Sequence, residues 1–437
     1  MKKKAEPGKP GKPASLANIV ELMDRPDEKE RDWSVLLKGG APEGDAVLSK
    51  FWGQVSYFER DDGTLGAIDS HHFRALSRDG GRTYEYLPKL ELPKPPAGKL
   101  HSMGGASGYN GPAGTVKMKS GRLGMTWTQV YPVGGNQEVV NFFFRTSHDD
   151  GETWSDDVLV NPGHDKGTPL YDTLRQLKSG RLIQPVRWCH WAGDIHRKTA
   201  VGWVDGERLD IEGHGHHPEF EVAYCYYSDD EGKTWARSRA EILGYLHDGW
   251  DNFVTCDEPA LDQLRDGRLL MLIRTPMGRL FQATSEDEGT TWSIPKPTML
   301  ATDFAPCALR RIPKTGDLLC VWNQASANEI QRGLRRNRLS AAVTSDGETW
   351  KHFHTLEWHP CLPEAGCIAP EERVILVRAL DDVGEIPKGW GFSTYPTVAV
   401  HGDEVIVAYS HGAGRRPKEV ISKPKHRILP LSWFYER

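Results

Sequence analysis

The chain has 437 residues, enough for two domains or one large β architecture with a substantial core. Hydrophobic residues make up 38% and charged residues 26%, a globular composition, and the net charge of −5 offers no general attraction to nucleic acid or an anionic membrane. No apolar run reaches the roughly 18 residues that a transmembrane helix needs.

In chain order, "MKKKAEPGKPGKPASLANIVEL" starts basic and continues through Pro, Gly and Lys without an apolar h-region. It is therefore not a signal peptide as written, and the compartment stays open. Residues 1–30 read as a tail with one short helix around Leu16–Met23, and residues 31–437 as a single domain. The seven cysteines are odd in number and form no CxxC pair, which argues for reduced, buried thiols over a disulfide framework or structural zinc.

From Ser77 onward one octet recurs. "SRDGGRTY" begins at Ser77, "SHDDGETW" at Ser147, "SDDEGKTW" at Ser228 and "SEDEGTTW" at Ser285, and the shortened "TSDGETW" begins at Thr344. Their shared aspartates stand at 79, 149, 230, 287 and 346. Five copies of an acid cluster are not one active site. Ser and Asp side chains close a tight turn on nearby backbone groups, Gly permits positive φ, and Thr-Trp opens the outgoing strand. Between the octets, "KMKSGRLGMTW", "QLKSGRLIQPVRW", "QLRDGRLLMLIR", "RIPKTGDLLCVW" and "AVHGDEVIVAYS" each put a Gly turn before an apolar run, the pattern of a hairpin entering a strand. Repeats of this length, each a small antiparallel sheet, predict propeller blades. Five octets and one degenerate C-terminal blade predict six, with "RILPLSWFYER" closing the ring against N-terminal strands.

These octets resemble the Asp-boxes of the sialidase (neuraminidase) superfamily, and the resemblance runs from about Phe51 to the C-terminus. It implies an all-β, six-bladed β-propeller of four-stranded antiparallel blades. It also implies an arginine triad that clamps a sugar carboxylate, a nucleophilic Tyr served by a Glu base, and an Asp acid. In "DEPALDQLRDGRLLMLIR" the resemblance assigns Glu258 as base and Arg274 as a carboxylate-binding arginine; in "GFSTYPTVAV" it assigns Tyr395 as nucleophile. In "QRGLRRNRLS" either Arg336 or Arg338 takes the next arginine position. The first triad arginine has no counterpart: Trp52 stands near its place, and Lys50 supplies charge without a planar fork. Asp69 in "AIDSHHFRALSRDGG" falls where the acid is expected, beside His71 and His72.

The interval holding "VRWCHWAGDIHRKTAVGW" is the longest between octets, and its Trp188 and Trp191 suit stacking on a sugar face or packing between strand and loop. His101 is the chemically interesting member of the Gly-rich "HSMGGASGYNGPAG", which lacks the Lys-Ser/Thr of a phosphate cradle. "EGHGHHPEFE" groups His214, His216 and His217, but its Gly-rich context reads as a loop, so no metal or other cofactor is assigned. The resulting expectation is an exo-glycosidase acting on a terminal acidic sugar of a glycan or glycoconjugate, with carbohydrate as partner and neither nucleic acid nor a membrane span. A lyase acting on uronic-acid polysaccharide and a non-catalytic carbohydrate-binding propeller remain as alternatives.

Overall fold

Short β-prone runs punctuated by Gly turns leave no stretch for long helices, and the computed structural model is accordingly all-β. It describes residue 36 and residues 44–51, 54–93, 109–134, 137–161, 165–191, 199–212, 219–245, 253–332, 334–363, 382–416 and 419–436. The expected tail and helix within residues 1–30 lie outside these.

The strands form antiparallel four-stranded units in chain order. The first contains Val55–Glu59, Leu65–Asp69, Arg74–Ser77 and Glu85–Leu87. The second contains Tyr109–Lys117, Leu123–Gly134, Gln137–Ser147 and Val158–Leu159. The third contains Arg175–Gln176, Leu182–Trp191, Glu219–Ser228 and Ala236–Arg237. The fourth and fifth share the long strand Lys296–Arg311. Its first half pairs back to Arg279–Ser285, behind Leu269–Arg274 and Asp257–Gln263. Its second half pairs forward to Leu318–Gln324, followed by Arg338–Thr344 and Trp350–Trp358. The sixth unit joins Gly391–His401, Glu404–Ala413 and Ile421–Pro430 to the early strand Asp45–Leu48. The closing strand foreseen in "RILPLSWFYER" thus covers only its first residues; Leu431–Tyr435 turns into a 3-10 helix that buries Trp433 and Phe434.

Burial follows from stacking these units face to face. Separate apolar clusters join the first to the second (Phe58, Ile68, Met125, Trp127), the second to the third (Phe142, Phe144, Val186, Tyr224) and the third to the fourth (Ile183, Cys225, Leu269, Met271). Others join the fourth to the fifth (Leu270, Leu309, Trp322), the fifth to the sixth (Val321, Leu339, Val407, Phe434), and the sixth back to the first (Phe51, Tyr57, Ile406, Ile428). Each face contributes the alternate residues of its strands. The described cysteines Cys225, Cys256, Cys307, Cys320 and Cys361 are free and buried.

The octets form the staples their composition predicts. In the first, Ser77 Oγ donates to Asp79 Oδ1 at 2.8 Å and accepts from Gly81 N at 2.8 Å. Thr83 donates to the same Asp through N at 2.9 Å and Oγ1 at 2.6 Å. The same four bonds recur at Ser147, Ser228 and Ser285, and at 344–349 Thr replaces Ser with Gly one place earlier.

One insertion matters for the site. The hairpin Thr199–Val204/Glu207–Glu212 leaves the third unit and pairs in parallel with Asp382–Glu385, just ahead of the sixth. Arg415 fastens this contact, reaching Asp205 at 3.2 Å and Glu385 at 2.6 Å.

Candidate active site

The octets and the Gly hairpins occupy one end of the strands. The opposite end is built differently, because several inner strands are bulged there. Register slips between Asp257 and Ala260, between Thr302 and Cys307, and between Thr394 and Thr397. Each slip contains an X-Pro pair, and proline offers no N–H to a ladder. Within them Glu258, Phe304 and Tyr395 take φ of 37°, 67° and 53°, and Arg336 in the neighbouring turn takes 56°. Non-glycine residues hold such angles only where the surroundings enforce them. The bulges turn these side chains out of the sheet and toward one another.

Tyr395 Oη donates to Glu258 Oε1 at 3.0 Å, linking the sixth unit to the fourth. The other Glu258 oxygen accepts from Arg274 Nη1, which also lies 3.1 Å from Asp257 Oδ2, its partner across the strand pair. The Arg274 guanidinium rests 4.0 Å over the Phe304 ring. Arg336 donates to Thr394 Oγ1 at 2.6 Å and stands 5.0 Å over the Tyr395 ring, while its backbone N–H meets Asp303. On the far side, Arg187 from the third unit reaches Asp257 at 3.1 Å and pairs with Glu221.

Glu258 is 7% exposed and Arg274 and Asp257 3% each, so these charges act in a poorly screened setting. Burial pushes the Glu258 carboxyl up, but the charges of Arg274 and Arg187 and the bond from Arg274 outweigh it and hold it down at about 2. Burial, reinforced by the Glu258 charge, raises the Tyr395 phenol above its ordinary value. At neutral pH the pair is a carboxylate accepting from a neutral phenol, the arrangement a base–nucleophile pair requires.

The structure therefore brings Tyr395, Glu258, Arg274 and Arg336 together. Six other expected site residues are placed elsewhere or not described. Arg338 is 1% exposed and forms a two-point ion pair with Glu329 at 2.7 and 2.9 Å, which corrects its assignment as a ligand arginine. Trp188 is half-buried and packs on the cluster of Ala113, Phe142 and Tyr224. Trp191 ends its strand, its side chain outside the described residues, as are Trp52, His101 and residues 213–218. Asp69 is fully buried, its Oδ1 accepting from the His71 and Phe73 backbone at 2.8 Å each. These two bonds close the turn that follows the strand Leu65–Asp69. His71 beside it is pushed down to about 4 by burial.

Sequence reasoning missed Arg187, Glu221, Asp257 and Asp303. Arg187 stands in "PVRW", where the neighbouring Trp drew the attention, and Asp257 is half of an acid pair opening an apolar strand. An acid pair at the mouth of a fully buried strand demands cations, and that signal was readable. Surface concavity is no guide here. A cleft of about 470 Å³ lined by Lys119, Arg181, Asp229 and Glu288 lies among the octets, at the end away from Tyr395.

The family described as "BNR repeat-like domain" matches residues 108–407. No curated protein matches the sequence. Among solved structures, a Dyadobacter fermentans protein of unknown function is similar with a TM-score of 0.53 at 13% identity, covering 89% of this chain and all of its own. The NanB sialidase from Streptococcus pneumoniae is similar with a TM-score of 0.53 at 14% identity, covering 92% of this chain and 73% of its own. By its matched repeats and by this likeness of architecture, the chain belongs to the BNR repeat-like domain family and has a sialidase-like fold.

Proposed function

We propose that the six units form a six-bladed propeller whose bulged end is the active site of a retaining exo-glycosidase, hydrolysing a terminal acidic sugar. The observation that carries this reading is the 3.0 Å bond between Tyr395 and Glu258. Tyr395 attacks the anomeric carbon as the glycosidic C–O bond breaks, Glu258 takes the phenol proton, and the departing oxygen takes a proton from solvent water. Water then cleaves the glycosyl–tyrosine bond at the same carbon, and two displacements retain configuration. A neutral phenol suits attack beside a substrate carboxylate, because an anionic nucleophile would be repelled. With Glu258 held low and Tyr395 high, proton transfer before attack is uphill, so the proton moves with bond formation.

Arg336, half-exposed and facing Tyr395, is the ligand-binding arginine. Arg274 has a different first duty, fixing Glu258 in place and keeping it ionised.

The test is hydrolysis of a panel of aryl glycosides, neutral and acidic, whose leaving groups depart as phenolates. An acidic glycoside should be cleaved with retention. Tyr395→Phe should abolish turnover, and Glu258→Ala should lower kcat by about 10²–10⁴-fold. Unchanged rates in both variants would remove the assignment, and an unsaturated product absorbing in the ultraviolet would turn the reading to a lyase.

A further inference from the structure

Arg336, the arginine given to the ligand above, sits in the left-handed region with φ of 56°. An arginine has no preference of its own for that conformation, so its neighbours impose it. After Arg336 the sixth unit does this. Ser393 N donates to the Arg336 carbonyl at 2.8 Å, His359 N donates to the Asn337 carbonyl at 3.0 Å, and Asn337 Nδ2 donates to the Gly391 carbonyl. Before the Arg336 carbonyl the hold comes from another quarter: its N–H donates to Asp303 Oδ2, on the strand shared by the fourth and fifth units.

Asp303 is 4% exposed, and its Oδ1 is buried without a hydrogen-bond partner among the described residues. A carboxyl set this deep for one backbone bond is a costly way to close a turn. What the bond fixes is the direction of a side chain. With the backbone held, Arg336 Nη1 donates to Thr394 Oγ1 at 2.6 Å, and the guanidinium stands 5.0 Å over the Tyr395 ring. The bulge that carries Asp303 also supports the second arginine, since the adjacent Phe304 lies 4.0 Å from the Arg274 guanidinium.

Resting on the acidic-sugar reading above, we infer that Asp303 and Thr394 are positioning residues for recognition of the sugar's anionic group. Asp303 holds the Arg336 backbone left-handed and Thr394 holds its guanidinium, so the pair acts through Arg336 and not on the reacting atoms. Without the Asp303 bond the backbone relaxes toward negative φ and the guanidinium leaves Tyr395, while Asn337 stays anchored to the sixth unit.

The experiment is steady-state hydrolysis, by the full chain, of the para-nitrophenyl glycosides of N-acetylneuraminate and of glucuronate, each beside its uncharged methyl ester. For the acid that the wild type cleaves, Asp303→Ala and Thr394→Val should each raise KM about tenfold and leave KM for the ester within about twofold. Asp303→Asn keeps an oxygen that accepts the Arg336 N–H and should return KM to within about threefold of the wild type. A role in stability alone would lower the folded fraction, and with it the apparent kcat for acid and ester alike, at unchanged KM. That pattern, an equal rise in KM for acid and ester, or an Asp303→Asn variant no better than Asp303→Ala overturns the inference while leaving the glycosidase reading intact. Should Asp303→Ala fail to fold, the near-isosteric Thr394→Val decides alone, and a wild-type KM for the acid in that variant overturns the inference. If the wild type cleaves neither acid, the acidic-sugar reading falls, and this inference falls with it.

Discussion

Two arginines two positions apart meet opposite fates. Arg338 is locked to Glu329, which reaches it from the short helix Ala327–Gln331 after a capping box with Ser326. Arg336 sits in a strained turn and faces the Tyr395 ring. Glu329→Gln should therefore cost about 3–5 kcal/mol in urea unfolding, since it strands a buried guanidinium. Arg336→Ala should leave the unfolding midpoint nearly unchanged and abolish binding of an acidic sugar. In the sequence Arg336 fits an R-x-x-L-S spacing best, but Arg338 stayed its rival, because the partner that locks it comes from a helix that no apolar periodicity announced. Glu258 yields a second prediction. Its carboxyl is lowered in the folded protein, so its contribution to stability is present above the unfolded value of about 4.3 and is lost as pH falls through about 2. Glu258→Gln should therefore melt below the wild type by a constant margin above about pH 5, and the margin should close toward about pH 2.

At the scale of the element, octets close the strands at one end and bulges turn side chains out at the other. The octet was legible because its Ser, Asp, Gly and Thr all act within eight residues, so sequence spacing is spatial spacing. The bulges were not, because a register slip is defined only against a partner strand. The shared signs, Glu258-Pro259, Ala305-Pro306 and Tyr395-Pro396, acquire meaning once the strands are paired. The octet aspartates at 79, 149, 230, 287 and 346 are all lowered by bonds from their own turns, in each case against the opposing effect of burial. Each should stabilise the fold above the unfolded value of about 3.9 and cease to do so as pH falls through its lowered folded value, which for Asp149 is about 2, so thermal stability should drop as these turns protonate. Asp149→Asn should cost about 1–2 kcal/mol at neutral pH and less in acid, as measured by melting at both pH values. The octet glycines Gly81, Gly232, Gly289 and Gly347 also seat their sheets on the neighbouring ones. At Gly232, φ is 88° and a Cβ would lie 1.9 Å from the Phe144 ring of the preceding unit. Gly232→Ala should destabilise by about 2–4 kcal/mol, more than the same change at the open Gly121.

For the whole molecule, the four-stranded antiparallel units were readable from repeats, whereas the order of their contacts became visible only through the clusters. The apolar clusters run from each unit to the next and from the sixth to the first, where Arg82 also grips Glu404 at 2.5 and 3.0 Å. The junction is completed by two strands from opposite ends of the chain, with Asp45 opposite Ile428 and Leu48 opposite Lys425. Removing residues 421–436 should strip the partner from Asp45–Leu48 and uncover Val407 and Leu429's neighbours, yielding a protein that binds a hydrophobic dye and loses its cooperative melt. This pairing also has a consequence for the order of synthesis. A ribosome exposes Asp45–Leu48 long before it releases the partner strand Ile421–Pro430, so that strand spends the interval with an unsatisfied sheet edge and the first unit with an uncovered apolar face. The chain's most aggregation-prone moment is thus set by elongation time, and slowing translation should lower its soluble yield even though every local turn is already correct.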